Sequence, residues 1–417
     1  DNPYWILNNN KMKDNTERFT GNFSVKADIT DWWWISYRMG MDSYTTENTN
    51  QIGAGGVYKE AWQKGMLSEN SLRYQYLSTN LMTNFNKQFG DFNLNLMLGT
   101  STDDTKSVRN YRMAYNFQVP GFYSFDNALD TDRNFKNTKS RKRLVGVFGE
   151  FRADWKNTVF ATVTGRNDWS SALAYTESCS FFYPSIGGSF LLDRFVDMGK
   201  NVNLLKVRAS YSIVGNDVPV FMSNLLYSLQ SQGAITPPEN APFRTLKPEK
   251  THSIEVGFDG TFFQNRLTMG LTYYKTNTKN QFFSVAAPYE SGLRNRYVNA
   301  GNVQNQGFEF SAGWYQQFND DFSWSTDLNL SYNDNKIVEL VDDLPNGLTL
   351  TDFGGAKIIL KKDGSYGDLY VRHIMRDENG RPMKDETTGN PIVSGDTTED
   401  MIYAGNMNAK FNAGWSN

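Results

Sequence analysis

The chain has 417 residues, a formal net charge of −3, 15% aromatic residues, 34 glycines and a single cysteine. A near-neutral, slightly acidic balance lacks the electrostatic footprint expected of a nucleic-acid binder, and the lone Cys179 excludes an intrachain disulfide framework or a cysteine-rich metal site. No stretch reaches the roughly 18 consecutive apolar residues of a membrane-crossing helix, whereas the negative mean hydropathy is compatible with crossing by strands, where only alternate residues face lipid.

Along the chain, alternating apolar and polar runs are joined at one end by short connections, at residues 29–32, 88–91, 155–157, 193–203, 264–266 and 318–322. At the other end long polar loops are expected at 44–71, 105–140, 217–247, 282–302 and 338–404. Phe92, Leu94, Leu96 and Leu98 alternate with Asn93 and Asn95. Val145, Val147, Phe151 and Trp155 share a parity opposite Glu150, Arg152 and Asp154, and Val159, Ala161 and Val163 oppose Thr162, Thr164, Arg166 and Asp168. Further on, Val207, Tyr211 and Ile213 oppose Lys206 and Arg208; Ile254, Val256 and Phe258 oppose Glu255 and Asp259; and Leu328 and Leu330 oppose Asp327 and Asn329.

Alternation over about ten residues, repeated strand after strand, fits strands of about 9 to 11 residues that cross a bilayer at a tilt. Aromatics gather at the short-turn ends, among them Trp32, Trp33, Trp34, Phe89, Trp155, Phe263, Trp314 and Trp324. Trp and Tyr favour the membrane interface, where both an apolar body and a polar tip are satisfied. The fold class expected is therefore all-β, a transmembrane antiparallel β-barrel. About thirteen strands can be counted, an incomplete set, so residues 1–417 read as part of a barrel with further strands outside the chain.

Several spaced motifs then resemble one family. LKVRASYSIVGN at 205–216, TGRNDWSS at 164–171 followed by Tyr183, Pro184 and Ser185, Leu246 to Lys250, FQNRLTMGLTYYKTNT at 263–278 and NAGNVQNQGFE at 299–309 are similar to barrel segments of the SusC/RagA family of TonB-dependent outer-membrane transporters. Tyr183 stands where the family usually has Phe, and 361–404 looks shortened. The resemblance implies a 22-stranded barrel, a plug domain and a TonB box outside this chain, contact with the TonB complex, and a SusD-like lipoprotein over the extracellular mouth. It implies active import of large solutes, glycan or peptide, across the outer membrane of a Gram-negative bacterium. A passive large-diameter porin and a soluble carbohydrate-binding β-protein are the competing readings.

The polar parity is the surface on which solute or plug contacts are expected: Glu150, Arg152, Arg166, Asp168, Lys206, Arg208, Glu255 and Asp259. The plainer reading is that these residues pair with one another and hold the wall. Val145, Val147, Phe151, Val159, Val163, Val207, Ile213, Val256 and Phe258 are expected to face lipid, Val159 near mid-strand. Loop aromatics Tyr123, Phe181, Phe221, Tyr227, Phe243 and Tyr289 are candidates for stacking on sugar rings. Asp377, Glu378, Asn379, Gly380 and Asp385 group oxygens as a calcium site would, but their spacing reads as a hairpin turn. The adjacent pairs Asp320/Asp321 and Asp342/Asp343 read as solvated turn residues. His252 and His373 lack zinc-ligand spacing, no cofactor is implied, and no hydrolase or phosphate-loop motif suggests an enzyme.

Overall fold

An alternating strand is two-faced, and antiparallel neighbours in register extend both faces across a sheet. The computed structural model describes residues 2–56, 59–224, 226–229, 233–243, 245–299, 301–340 and 347–417. A short helix, α1 (Pro3–Asn9), leads into β1 (Lys11–Thr30), β2 (Trp33–Ile52), β3 (Met66–Phe89), β4 (Phe92–Tyr115), β5 (Arg133–Trp155), β6 (Val159–Ser170), β7 (Ser180–Leu191) and β8 (Val202–Asn216). The small pair β9 (Ser228–Leu229) and β10 (Ile235–Thr236) precedes β11 (Glu249–Phe262) and β12 (Leu267–Lys279). A hairpin, β13 (Phe282–Ala286) and β14 (Asn295–Asn299), precedes β15 (Asn302–Gln317) and β16 (Ser323–Glu339). Four short strands, β17 (Leu348–Asp352), β18 (Ala356–Leu360), β19 (Asp368–Val371) and β20 (Ile402–Asn406), make a separate sheet before β21 (Phe411–Ser416). The main sheet has thirteen strands in the order β1-β2-β3-β4-β5-β6-β7-β8-β11-β12-β15-β16-β21.

Register makes each face continuous. Leu96 lies opposite Phe151, which lies opposite Val163, Ile186 and then Tyr211 on successive strands. Farther along, Ala209, Val256, Tyr273, Phe308 and Tyr332 form a second such row. All nine residues expected to face lipid fall on this one face. It is left uncovered by protein: Val147 is 52% exposed, Val163 47%, Ile186 57% and Val256 52%. An apolar face of this extent, facing no protein layer, has the hydrocarbon of a bilayer as its natural cover.

The six short connections sit where the alternation places them, the tightest being residues 31–32, 90–91 and 156–158. Gly90, Lys156 and Asn157 adopt positive φ there, as tight hairpins of right-handed twist require. Five aspects differ from the sequence reading. The first five strands have 20 to 24 residues, about twice the length expected, so much of 44–71 and 105–140 is strand and only 53–65 and 116–132 connect. Hydrophobic alternation fades in these extensions, but the ladder continues on polar cross-strand pairs: Arg18 with Asp42, Thr16 with Thr46, Asn48 with Asn70, and a Tyr44–Tyr74 stack at 4.9 Å. Val159 opens β6 opposite Trp155 and is therefore an interfacial position rather than a mid-strand one. The stretch 338–404 holds the β17–β20 sheet. Phe181 belongs to β7 and is buried at 4% exposure, so it is no loop aromatic. Phe243 packs against the same core as Phe181. Asp342 and Asp343, with the side chain of Tyr289, lie outside the described residues.

The buried cores all lie toward the long-loop end. Ala172, Leu173, Phe181, Val218, Met222 and Leu246 form one; Leu67, Ala114, Phe117 and Ala128 a second; Val303, Ile337 and Leu360 a third. Among the described residues, the membrane-level wall, one sheet thick, shows no core of its own.

Candidate functional site

The polar face of the wall carries all eight candidate residues, and six of them are paired. Glu150 and Arg152, two residues apart on β5, meet at 2.7 Å. Arg208 on β8 reaches Asp259 on β11 at 3.2 Å and also donates to Thr272 on β12. Lys206 and Glu255 have no such partner among the described residues beyond a long contact, 3.5 Å, from the Ser253 hydroxyl to Glu255.

Arg166 and Asp168 make the tightest arrangement. Both project from β6 on the polar parity and pair at 2.8 Å, and the Asp168 side chain is only 4% exposed. Arg166 also donates to the Ser101 hydroxyl at 2.8 Å and lies over the Phe148 ring at 5.3 Å, while the Tyr183 hydroxyl donates to Asp168. Four strands, β4 to β7, thus converge on one ion pair. Gly146 makes room for it, since a Cβ at that position would collide with both the guanidinium and the carboxylate. A buried carboxylate with this many donors is satisfied in place. Its arrangement is that of a clamp on the wall; the unpaired Lys206 and Glu255 are the candidates left free for a solute or plug.

The mouth is more built than its composition suggests. The loop at 217–248 is pinned by Val218, Met222 and Leu246 in the first core, by Ser170 donating to Asp217 at 2.7 Å, and by an ion pair between Lys142 and Asp217. It meets the β13–β14 hairpin, where Asn240 bridges Asn295, and the two enclose a cleft of about 500 Å³ lined by Val220, Phe221, Leu226, Thr236, Glu239 and Tyr297, among others. Phe221 and Tyr227, at 40% and 64% exposure, remain available at the surface. Tyr123 instead points inward, accepting from the Ala54 N–H and packing edge-on against Phe117. Asp377 and Asp385 spend their carboxylates on the N–H groups of their own turns, Asn379 and Arg381 for the first and Thr387 and Thr388 for the second. These are turns, as the spacing suggested.

Sequence reading missed the loop cores, although the apolar run Val218 to Met222 and the lone Leu246 stand inside an otherwise polar loop and could have signalled them. It also missed Ser101 and Phe148, which register alone brings to Arg166.

The family model described as "TonB dependent receptor-like, beta-barrel" matches residues 1–369. The chain belongs to that family and is an outer-membrane β-barrel. TonB-dependent receptor P3 of Formosa agariphila is 27% identical over 82% of the chain and 35% of its own length. TonB-dependent receptor SusC of Bacteroides thetaiotaomicron is 26% identical over 84% of the chain and 38% of its own length. The chain thus spans about a third of the length of the curated relatives it matches. Among solved structures, that of the RagAB peptide transporter superposes with a TM-score of 0.81 at 16% identity, over 99% of the chain and 46% of its counterpart, which establishes likeness of fold.

Proposed function

We propose that this chain forms part of an energised importer of SusC type, which takes large solutes, oligosaccharides or peptides, through a plugged barrel with energy from TonB. On this reading residues 1–417 supply barrel wall and mouth, while a plug domain, a TonB box and further strands complete the transporter, and a SusD-like lipoprotein closes the mouth. One observation carries the reading: the two ends of the wall are built differently. Tight turns close one end, while loops packed on their own cores stand at the other. A preformed mouth suits docking of a lid and a solute, since little ordering cost remains to be met on binding. The relatives' names support the TonB link, and a neighbour named a peptide transporter supports a bulky solute.

In the full-length protein, uptake of the solute should stop when TonB is removed, and removal of residues 231–242 should weaken co-purification with the lipoprotein, or solute uptake, while the barrel still assembles. Undiminished uptake without TonB would assign the protein to the passive porins instead.

A further inference from the structure

The apolar outer face ends abruptly on β5, and the surface directly beyond it, shared with β3 and β4, is basic. On that face Val145 of β5 lies opposite Trp169, which is 44% exposed, and the next outward residue along β5 is Arg143. Arg143 lies opposite Asp104, Arg141 opposite Lys106 and Lys139 opposite Val108, while Arg73 of β3 is opposite that same Val108. Arg73, Lys106, Lys139, Arg141 and Arg143 therefore form one outward patch in the first three pleats beyond the apolar band, each pleat advancing about 7 Å.

The patch is electrically incomplete. Asp104, only 9% exposed, is held at 2.5 Å by both Arg141 and Arg143, yet those two side chains remain 52% and 51% exposed. Among the described residues no acid pairs with Arg73, Lys106 or Lys139, and all three are exposed. Lys106 directly opposite Arg141 is a like-charge cross-strand pair, which destabilises a sheet unless an anion intervenes. One carboxylate fixes two guanidiniums in place, with much of each fork still free. Guanidiniums so arranged suit bidentate contact with phosphate. Farther out, the charges balance again with the Glu69–Arg112 pair, so the excess is confined to the level where headgroups meet the wall.

We propose that this patch binds the phosphate groups of anionic lipids in the outer leaflet, anchoring the wall at a fixed height in the membrane. Continuity with the lipid-facing band favours a lipid over a free anion, because any phosphate at this level would arrive attached to an acyl anchor already seated on Leu77, Leu81 and Val147.

The test uses the full-length receptor and its triple variant Lys106→Gln, Arg141→Gln, Arg143→Gln, purified from outer membranes, with bound phosphate-bearing lipid counted by native mass spectrometry. Each basic residue near an anionic surface strengthens association by about fivefold, so three neutralisations should lower lipid retention by tenfold or more. Arg141→Lys with Arg143→Lys, which preserves charge, should retain most of it, as should Arg109→Gln, a basic residue on the opposite face of β4. Equal retention by wild type and triple variant would overturn the proposal, as would equal loss from Arg109→Gln. Inorganic phosphate that displaces the lipid at millimolar concentration would assign the patch to a free anion. Should the triple variant fail to show the heat-modifiable migration of a folded barrel, the wild type decides: lipid retention in nanodiscs of phosphatidylglycerol and phosphatidylcholine must fall steeply between 0.1 and about 1 M salt, where screening shortens from ~10 to ~3 Å. Retention unchanged by salt would overturn it.

Discussion

At the scale of single residues, depth and pairing set the cost of substitution. Val163 lies midway up the apolar band between Phe151 and Ile186, whereas Val159 sits at its lower edge between Trp155 and Phe190. Val163→Arg should destabilise the barrel by about 2 to 4 kcal/mol and Val159→Arg by no more than about 1, because the cost of a charge falls from midplane to interface; denaturant titration of the full-length protein in lipid measures both. The polar face divides similarly. Asp168→Ala would strand Arg166, whose side chain is 27% exposed, and should cost about 3 kcal/mol, the low end for breaking a buried pair because some water reaches the guanidinium. Glu150→Ala should cost less than about 1 kcal/mol, since its partner Arg152 is 61% exposed. Gly146→Ala should behave like Asp168→Ala, and normal stability in that variant would remove the clamp from the account.

At the scale of elements, alternation proved legible wherever one face meets hydrocarbon and illegible where both faces meet water. The strand cores around Phe151, Val163 and Val256 and all six tight connections follow from period two and turn residues. The outer halves of β1 to β5 do not, because Thr16, Asn48, Asn70 and Glu69 give no apolar beat, and only their cross-strand partners reveal a strand. Half of the candidate site was legible in the same sense: parity put all eight residues on the polar face, but pairing depends on register, which no single strand contains. The hairpin that bears Asp385 offers a pH test at this scale. Its carboxylate accepts from the Thr388 N–H and hydroxyl and from the Thr387 N–H, which hold its pKa below the usual aspartate value of about 3.9. A lowered folded pKa means the contribution is present above that unfolded value and is lost as the pH falls through the folded one. Protection of the Thr387 and Thr388 amides from hydrogen exchange should therefore decline below about pH 4, and Asp385→Asn should flatten the dependence.

At the scale of the whole wall, register makes one claim about every strand at once. Single cysteines at Val147, Phe151, Val163, Val207 and Val256 should resist a membrane-impermeant thiol reagent, while Lys206→Cys and Glu255→Cys should react once the lumen is open to solvent. A one-residue slip would invert the whole set, so reaction at the first group ends the assignment. The extended strands bear on a different property. Lys11, Lys13, Arg18, Arg73, Arg109 and Lys136 are all exposed at the cell surface end, yet every one lies within β1, β3, β4 or β5. A protease must draw a substrate segment out of its ladder before cutting it, and a strand paired over 20 or more residues opens seldom. Trypsin applied to intact cells should therefore pass over the basic residues of these strands and cut first in the connections, beside Lys59 and Lys64 between β2 and β3 and beside Arg294 and Lys384 farther on, so that β3 to β5 survive within one long resistant fragment: what looks from outside like the most digestible surface of the protein is its armour.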